Sequence, residues 1–323
     1  MSKIAFVGFG EINTPVDAVI RKCKAAAKAL KGEGLDLFEV YPIADDYEET
    51  QIGSALEKLG KKDFDAMVLC VAGWIPTHAV VKITEHYRHL PMVLWGLCGW
   101  YEGDRIVTTA DQAGTSGLRA TFEGLGYNFR YVYDVMGKKT KSDVVASFCK
   151  AACVAADLRS EKVGMAGYRD MQLYGTLYDG VSLKRTTGVE IETFELLEVQ
   201  QRYDRLDPAC VQKVIDERMS KWHFIKPAKQ ESMQMAAGYY LAVKQILDER
   251  HCKAVSIKDV DGMKKLAGFP PAPIFMLLSE DGYTTVPEND SLGSVTQLMM
   301  NGLTGQLAGY LEFYEFFENS VLA

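Results

Sequence analysis

The sequence predicts an α/β protein in which two doubly wound parallel-sheet domains stand in tandem and the start of a third follows. The chain has 323 residues, about twice the usual length of one domain. Wholly apolar runs such as residues 66–72 and 92–96 are typical of parallel strands buried on both faces. These runs alternate with amphipathic segments of helical period, which is the pattern of flavodoxin-like or Rossmann-like domains.

The first half of the chain contains five predicted strands and three main predicted helices. The strands cover residues 4–9, 35–41, 66–72, 92–96 and 127–133. The helices cover residues 16–30, 49–62 and 142–158. A charged turn at 157–162 follows the last helix, and we therefore expect the first domain to span residues 1–160.

A second alternating set of elements predicts a second domain at residues 161–303. Its predicted strands cover residues 163–167, 189–194, 254–257, 274–278 and 283–286. Its clearest predicted helices cover residues 171–184, 233–247 and 293–303. Residues 304–323 include an aromatic run at 310–317, which predicts a strand or the start of a buried helix. Either this run is a C-terminal helix docked on the core, or a third domain begins here and is cut short.

Charge and composition exclude several classes of protein. The net charge is −7 and no basic run exceeds pairs such as Lys138 and Lys139, so a nucleic-acid partner is not expected. The apolar run at 66–81 is interrupted by Gly73 and Pro76, and we expect no membrane-spanning segment. Seven scattered cysteines without a C-x-x-C spacing and the lack of a secretory signal predict a cytoplasmic protein.

Two weaker motifs have ordinary structural explanations. Gly8 and Gly10 follow the first predicted strand and resemble a nucleotide-binding loop, but the third glycine is missing and a strand-to-helix turn explains them equally well. His86 and His89 could share a helix face and bind a metal, although they fit a solvated helix at least as well.

Candidate ligand-binding residues lie where predicted parallel strands end. Trp74 and His78 follow the strand at 66–72, and ligands of open α/β sheets bind at the carboxyl ends of strands. Arg169 and Asp170 follow the first strand of the second domain. They could fix a hydroxylated or anionic ligand, but Asp170 could equally cap the next helix.

The strongest candidate site is a pair of glutamates, Glu288 and Glu312. Asp290 and Ser291 are suited to cap the helix at 293–303, whereas Glu288 has no such structural role. A helix of about 14 residues carries the chain roughly 21 Å away, and a strand of about seven residues returns it. The two carboxylates could therefore meet and bind Mn²⁺ or Mg²⁺.

The segment Glu288-Asn-Asp-Ser-Leu, its helix, Leu303-Thr-Gly305 and the acid at Glu312 resemble the metal-binding signature of the L-fucose isomerase family. Residues 162–167 and 188–192 resemble the opening of that family's second domain. The family belongs to the fucose and arabinose isomerase superfamily.

The resemblance implies a manganese-dependent aldose–ketose isomerase that acts on a monosaccharide through an enediol. In this family a glutamate, an aspartate and a histidine hold the metal. Glu288 takes the place of the glutamate, Glu312 stands at the spacing of the aspartate, and the histidine belongs to a further C-terminal domain. Trp74 corresponds to a tryptophan that a neighbouring subunit of a hexamer contributes to the sugar pocket. The alternative is a non-catalytic sugar-binding or regulatory module, because no histidine follows His251.

Overall fold

The structure, a computed structural model, describes residues 3–323. The described chain divides into two compact units, the first ending at Ala156 and the second running from Asp157 to Ala323. Each unit is built around a parallel β-sheet with helices packed against it. The α/β class and the tandem doubly wound sheets predicted from the sequence are confirmed.

The first unit contains a five-stranded parallel sheet in the order β2-β1-β3-β4-β7. The strands of the unit are β1 (Ile4–Phe9), β2 (Leu37–Ile43), β3 (Ala66–Val71), β4 (Met92–Gly96), β5 (Trp100–Glu102), β6 (Arg105–Val107) and β7 (Phe129–Tyr133). The helices are α1 (Val16–Gly32), α2 (Thr50–Leu59), α3 (Thr77–Thr84), α4 (Asp111–Leu125) and α5 (Ser142–Leu158). Strands β5 and β6 form a separate antiparallel hairpin.

Strands β1 and β3 are buried along their whole length, since hydrophobic clusters cover both faces of the sheet. This burial explains why their sequences are continuously apolar instead of alternating. The chain crosses from β1 to β2 on one side and then to β3 on the other. The point between β1 and β3 is therefore a topological switch point, where open α/β sheets bind ligands.

The second unit contains a four-stranded parallel sheet in the order β11-β10-β8-β9. Its strands are β8 (Lys162–Ala166), β9 (Glu190–Phe194), β10 (Ala254–Ile257) and β11 (Thr284–Val286). Its helices are α6 (Gly180–Thr187), α7 (Leu196–Tyr203), α8 (Pro208–Glu217), α9 (Gln230–Arg250), α10 (Ala272–Glu280) and α11 (Ser291–Thr304). Helix α9 packs against α7, α8 and α10.

Two predicted elements of the second unit are wrong. Residues 274–278 were expected to form a strand but lie in helix α10, where Ile274, Leu277 and Leu278 are buried at helical spacing. A short apolar run fits either period, and the tertiary packing decides between them. The helix expected at 171–184 begins only at Gly180, because Asp179 caps it by accepting a hydrogen bond from the Ser182 N–H at 2.6 Å.

The chain after α11 has little regular structure. Gly305 ends the helix in a left-handed conformation with φ 66°. Only two-residue strands follow, β12 (Glu315–Phe316) and β13 (Val321–Leu322), which form a small antiparallel hairpin. Residues 310–317 thus form neither the long strand nor the docked helix that we expected, and a third domain stays a prediction. Within residues 3–323, no helix combines the length and the hydropathy needed to cross a bilayer.

Candidate functional site

The candidate site lies at the carboxyl edge of the second sheet, around its topological switch point between β8 and β10. Three of the loops that leave the sheet at this edge form the site: the β8 loop (residues 167–172), the β10 loop (258–264) and the β11 loop (287–290). Backbone bonds join them to the strands, since the Lys258 N–H donates to the Ala166 oxygen at 2.9 Å and the Asn289 N–H to the Ile257 oxygen at 3.3 Å. Side chains of the three loops therefore come together, although groups 123 residues apart along the chain are joined there.

The β11 loop has a strained backbone. Glu288 and Asn289 both lie in the left-handed region, with φ of 63° and 54°. Such a conformation costs a non-glycine residue roughly 1–2 kcal/mol. The loop is held by hydrogen bonds from the Asn289 Nδ2 to the Ala166 oxygen at 3.0 Å and from the Ser256 Oγ to the Pro287 oxygen at 3.1 Å. Strain that is fixed by its surroundings in this way is frequent at functional sites.

Asp259 of the β10 loop connects to this strained backbone. Its Oδ1 accepts a hydrogen bond from the Glu288 N–H at 3.0 Å, and its Oδ2 pairs with the Lys264 Nζ at 3.2 Å. The residue is only 5% exposed. Burial and the contact with the Asp170 carboxyl raise the pKa of Asp259, against the opposing effects of Lys264 and the Glu288 N–H.

Asp170 of the β8 loop is fully buried and bonds to the β10 loop. Its carboxylate accepts hydrogen bonds from the N–H groups of Val260 at 2.7 Å and Asp261 at 2.8 Å, and from the adjacent Met171 N–H at 3.0 Å. It does not cap a long helix, because α6 begins ten residues later. Its contact with a substrate stays a prediction, whereas its bonds to the β10 loop are part of the structure.

Glu312 is near enough to Glu288 for its charge to act on the Glu288 carboxyl. Burial raises the pKa of the Glu288 carboxyl, and the negative charge of Glu312 raises it further. The charges of Asp259 and Asp170 have smaller effects in the same direction. Glu312 lies in the irregular segment after α11 and is exposed. The expected returning strand is absent from this described segment, yet the chain still returns to the carboxyl edge of the sheet.

A cavity of about 420 Å³ lies beside this acidic cluster. Asp259, Lys264 and Tyr310 contribute polar groups to its lining, while Phe275 and Leu307 contribute apolar surface. Burial and the neighbouring acids Asp290, Glu312 and Glu288 raise the pKa of Tyr310 to about 12. The tyrosine therefore remains a neutral hydroxyl that can donate a hydrogen bond at physiological pH.

The donor set is chemically suited to a hard divalent cation. Glu288 and Glu312 provide carboxylate oxygens, the ligands that Mn²⁺ and Mg²⁺ prefer. Their mutual repulsion is the kind that a bound cation relieves. Across residues 3–323, however, no group of three or more His, Cys, Asp or Glu side chains is arranged to hold a metal ion. The two glutamates thus fit part of a coordination shell.

Arg169, predicted to bind substrate, binds its own loop. Its Nη2 donates to the Gln172 oxygen at 2.8 Å and its Nε to the Leu173 oxygen at 3.2 Å. Its guanidinium lies over the Tyr174 ring, 4.5 Å from the centroid. These contacts stabilise the β8 loop, in which Arg169, Met171 and Gln172 all have positive φ. A role of Arg169 in substrate binding stays a prediction.

The other two predicted binding residues, Trp74 and His78, belong to the first unit. Trp74 follows β3 at the switch point of that sheet, and its side chain is 38% exposed. Its backbone is fixed because its N–H donates to the Thr109 oxygen and its oxygen accepts from the Glu11 N–H, both at 2.7 Å. His78 is exposed in the first turn of α3. The structure therefore presents an aromatic ring and an imidazole at a typical ligand-binding edge.

The weaker motifs of the first unit have structural roles. A Cβ on Gly8 would lie 2.4 Å from the Cys23 sulfur, and one on Gly10 would lie 2.6 Å from a Val19 methyl carbon. Both glycines therefore permit close packing of β1 against α1, which supports the strand-to-helix turn. His86 lies in a short 3-10 helix, Glu85–Tyr87, and His89 follows it, so the two do not share a regular α-helix.

Asp259 and Lys264 belong to the site but were not among the residues predicted from the sequence. A signal was present, because Lys258, Asp259 and Asp261 directly follow a buried strand at the carboxyl edge of the sheet. The signal was weak, since charged residues after a strand are common in solvated loops. Only the fold shows that Asp259 is buried and bonded to the Glu288 backbone.

The fold and the site define an α/β protein with an acidic cluster at the carboxyl edge of its second sheet. Residues 172–304 match the family model of the L-arabinose isomerase central domain. The match includes Asp259 and Glu288, covers less than half of the chain, and does not reach Glu312. It relates this part of the chain to the arabinose and fucose isomerase superfamily without singling out L-fucose isomerase. Comparison with curated proteins gives no match.

Proposed function

We propose that this protein is a metal-dependent aldose–ketose isomerase of the arabinose and fucose isomerase type. The observation that carries the proposal is that the charge of Glu312 acts on Glu288, a half-buried carboxylate inside the matched region. These residues would hold Mn²⁺, or another divalent cation such as Mg²⁺. The specific resemblance to L-fucose isomerase, beyond the arabinose isomerase match, belongs to this proposal.

The chemistry follows from the properties of the two carboxylates. Isomerisation moves a proton between sugar carbons C1 and C2 through an enediol. A divalent cation supplies Lewis-acid stabilisation of the negative charge that develops on the sugar oxygens. In the metal-free chain, burial and the charge of Glu312 raise the pKa of Glu288, and this carboxylate would take up and return the proton. Tyr310 offers a neutral hydroxyl beside the same cluster.

The proposal extends to the substrate and the assembly. The substrate is a monosaccharide, with Trp74, His78, Arg169 and Asp170 as proposed binding residues. Trp74 would stack on the apolar face of a sugar, in the pocket of a neighbouring subunit of a homo-hexamer. We also propose a cytoplasmic location, with which the buried thiols of Cys23 and Cys149 agree.

One observation favours a second candidate, a non-catalytic sugar-binding or regulatory module. Within residues 3–323, no group of three or more His, Cys, Asp or Glu side chains is arranged to hold a metal ion. A module of this type would bind sugar without converting it and without a requirement for a cation.

Metal binding and turnover distinguish the two candidates. Mn²⁺ is titrated into the 323-residue chain and free ion is measured by electron paramagnetic resonance, and aldose-to-ketose conversion is assayed with pentoses and 6-deoxyhexoses. We expect Glu288→Gln and Glu312→Gln to lose both Mn²⁺ binding and conversion. Glu315→Gln, an exposed change three residues further on, is the control.

The outcomes separate clearly. Manganese-dependent conversion that survives Glu288→Gln contradicts the assigned site. Sugar binding by the unaltered chain, without Mn²⁺ binding and without conversion, supports the binding module instead.

A further inference from the structure

A buried carboxylate, that of Asp259, bonds directly to the backbone of Glu288. The Glu288 N–H donates to Asp259 Oδ1 at 3.0 Å. Glu288 is also the first of two consecutive non-glycine residues with positive φ. The left-handed conformation decides where the Glu288 side chain lies relative to the sheet edge. A change at the Glu288 N–H therefore moves the carboxylate that the proposed function uses.

Asp259 is itself fixed from two directions. Lys264, in the same loop, pairs with its Oδ2 at 3.2 Å. Asp170 holds the loop from the other side by accepting the N–H groups of Val260 and Asp261 at 2.7 and 2.8 Å. The bonds run from the β8 loop through the β10 loop to the β11 loop, so that all three loops at the switch point are connected.

The electrostatic cost of a charged acceptor at Asp259 distinguishes this bond from an ordinary loop contact. A neutral acceptor such as asparagine or serine would satisfy the Glu288 N–H without placing a charge near Asp170 and Glu288. Burying carboxylates close together is unfavourable unless cations or hydrogen-bond donors compensate their charges. Lys264 offsets part of this cost, but its side chain is 47% exposed and its charge is correspondingly screened.

We propose that Asp259 is the positioning residue of the site, which holds Glu288 in its left-handed conformation through the Glu288 N–H and so places the Glu288 carboxylate beside Glu312. This inference rests on the proposed function for its consequence, the binding of a divalent cation. The positioning itself is independent of any cation, and it can be measured without one.

Hydrogen–deuterium exchange of the metal-free chain tests the positioning. Asp259→Ala removes the acceptor, and we expect faster exchange in the peptide that contains Glu288. Asp259→Asn retains an acceptor oxygen and should keep exchange there near that of the unaltered chain. Asp216→Ala, an exposed change in α8 of the same unit, is the control. Unchanged exchange around Glu288 in Asp259→Ala overturns the proposal, as does equally fast exchange in Asp259→Asn.

Mn²⁺ affinity tests the consequence. Loss of a residue that orients a metal ligand typically weakens binding roughly 10–100-fold, which is the loss we expect for Asp259→Ala, with only a small loss for Asp259→Asn. An affinity unchanged by Asp259→Ala overturns the proposal. If the unaltered chain binds no Mn²⁺, the metal-dependent function fails, and the exchange experiment still decides the positioning.

If Asp259→Ala does not fold, the variant Asp259→Glu tests the same positioning. Asp259→Glu keeps the charge but displaces the acceptor oxygen by one methylene. We expect it to speed exchange around Glu288 and to weaken Mn²⁺ binding in a chain that still melts cooperatively. Exchange and affinity equal to those of the unaltered chain would overturn the proposal.

Discussion

Replacing Asp170 by alanine should destabilise the protein strongly, because Asp170 connects two loops inside the second unit. The side chain is fully buried, and its oxygens accept three backbone N–H groups. After Asp170→Ala, the Met171 N–H keeps a second acceptor, the Asp261 Oδ2 at 2.9 Å. The N–H groups of Val260 and Asp261 lose the acceptor that they have in the structure.

The magnitude follows from these two groups. A buried N–H left without an acceptor costs about 1–3 kcal/mol, and both of these N–H groups are partly buried. Removing the Asp170 charge also relieves its repulsion with Asp259 and Glu288, which offsets part of this destabilisation. We therefore expect a net loss of roughly 2–4 kcal/mol in the free energy of unfolding. For a unit of this size, such a loss lowers the melting temperature by roughly 5–15 °C.

Urea and thermal unfolding followed by circular dichroism measure the loss. Asp179→Ala is a matched control, since Asp179 is an exposed cap of α6 with a single bond to the Ser182 N–H. Its loss should cost about 1 kcal/mol. If Asp170→Ala is no less stable than Asp179→Ala, the structural role of Asp170 is refuted, and a role confined to substrate binding gains support.

Two further expectations concern the strained loop and the response to acid. Asn289→Ala should be less stable than Asn289→Gly by about 1 kcal/mol in urea unfolding. Both variants lose the bond to the Ala166 oxygen, but only glycine adopts a φ of 54° freely. Equal stabilities would show that the loop is not strained. The Lys162 ammonium, by hydrogen bond and charge, and the Arg250 guanidinium lower the pKa of Glu192, so its stabilisation is present above the ordinary glutamate pKa and is lost as the pH falls. Glu192→Gln should therefore reduce stability at neutral pH and flatten the decline between about pH 5 and pH 3, and an unchanged decline would contradict this assignment.

The sequence was informative where local pattern and burial agree. Strands β4 and β10 and helix α5 have the bounds that their apolar runs and helical period predict. Continuous apolar strands require cover on both faces, and so these runs alone predicted a parallel sheet with flanking helices. Glu288 was found for a related reason, because an acid that directly follows a strand and caps no helix needs another explanation.

The sequence was uninformative where a residue's role depends on a distant partner. Residues 274–278 are apolar in either a strand or a helix, and only packing in the second unit makes them part of α10. Arg169 has the chemistry of a ligand-binding residue, yet its guanidinium bonds to carbonyl groups of its own loop. Nothing in the local sequence separates these alternatives, since the competing structures have similar propensities.

The sequence by itself determined the α/β class, the tandem sheets and the two candidate glutamates, because periodicity and strand-end chemistry are local properties. Only the tertiary structure decided that Asp170 is buried against the β10 loop and that Asp259 holds the Glu288 backbone. These bonds join groups about 90 and 30 residues apart in the chain. The physical reason is that the order of parallel strands, set by packing of the whole unit, chooses which loops meet at one edge of the sheet.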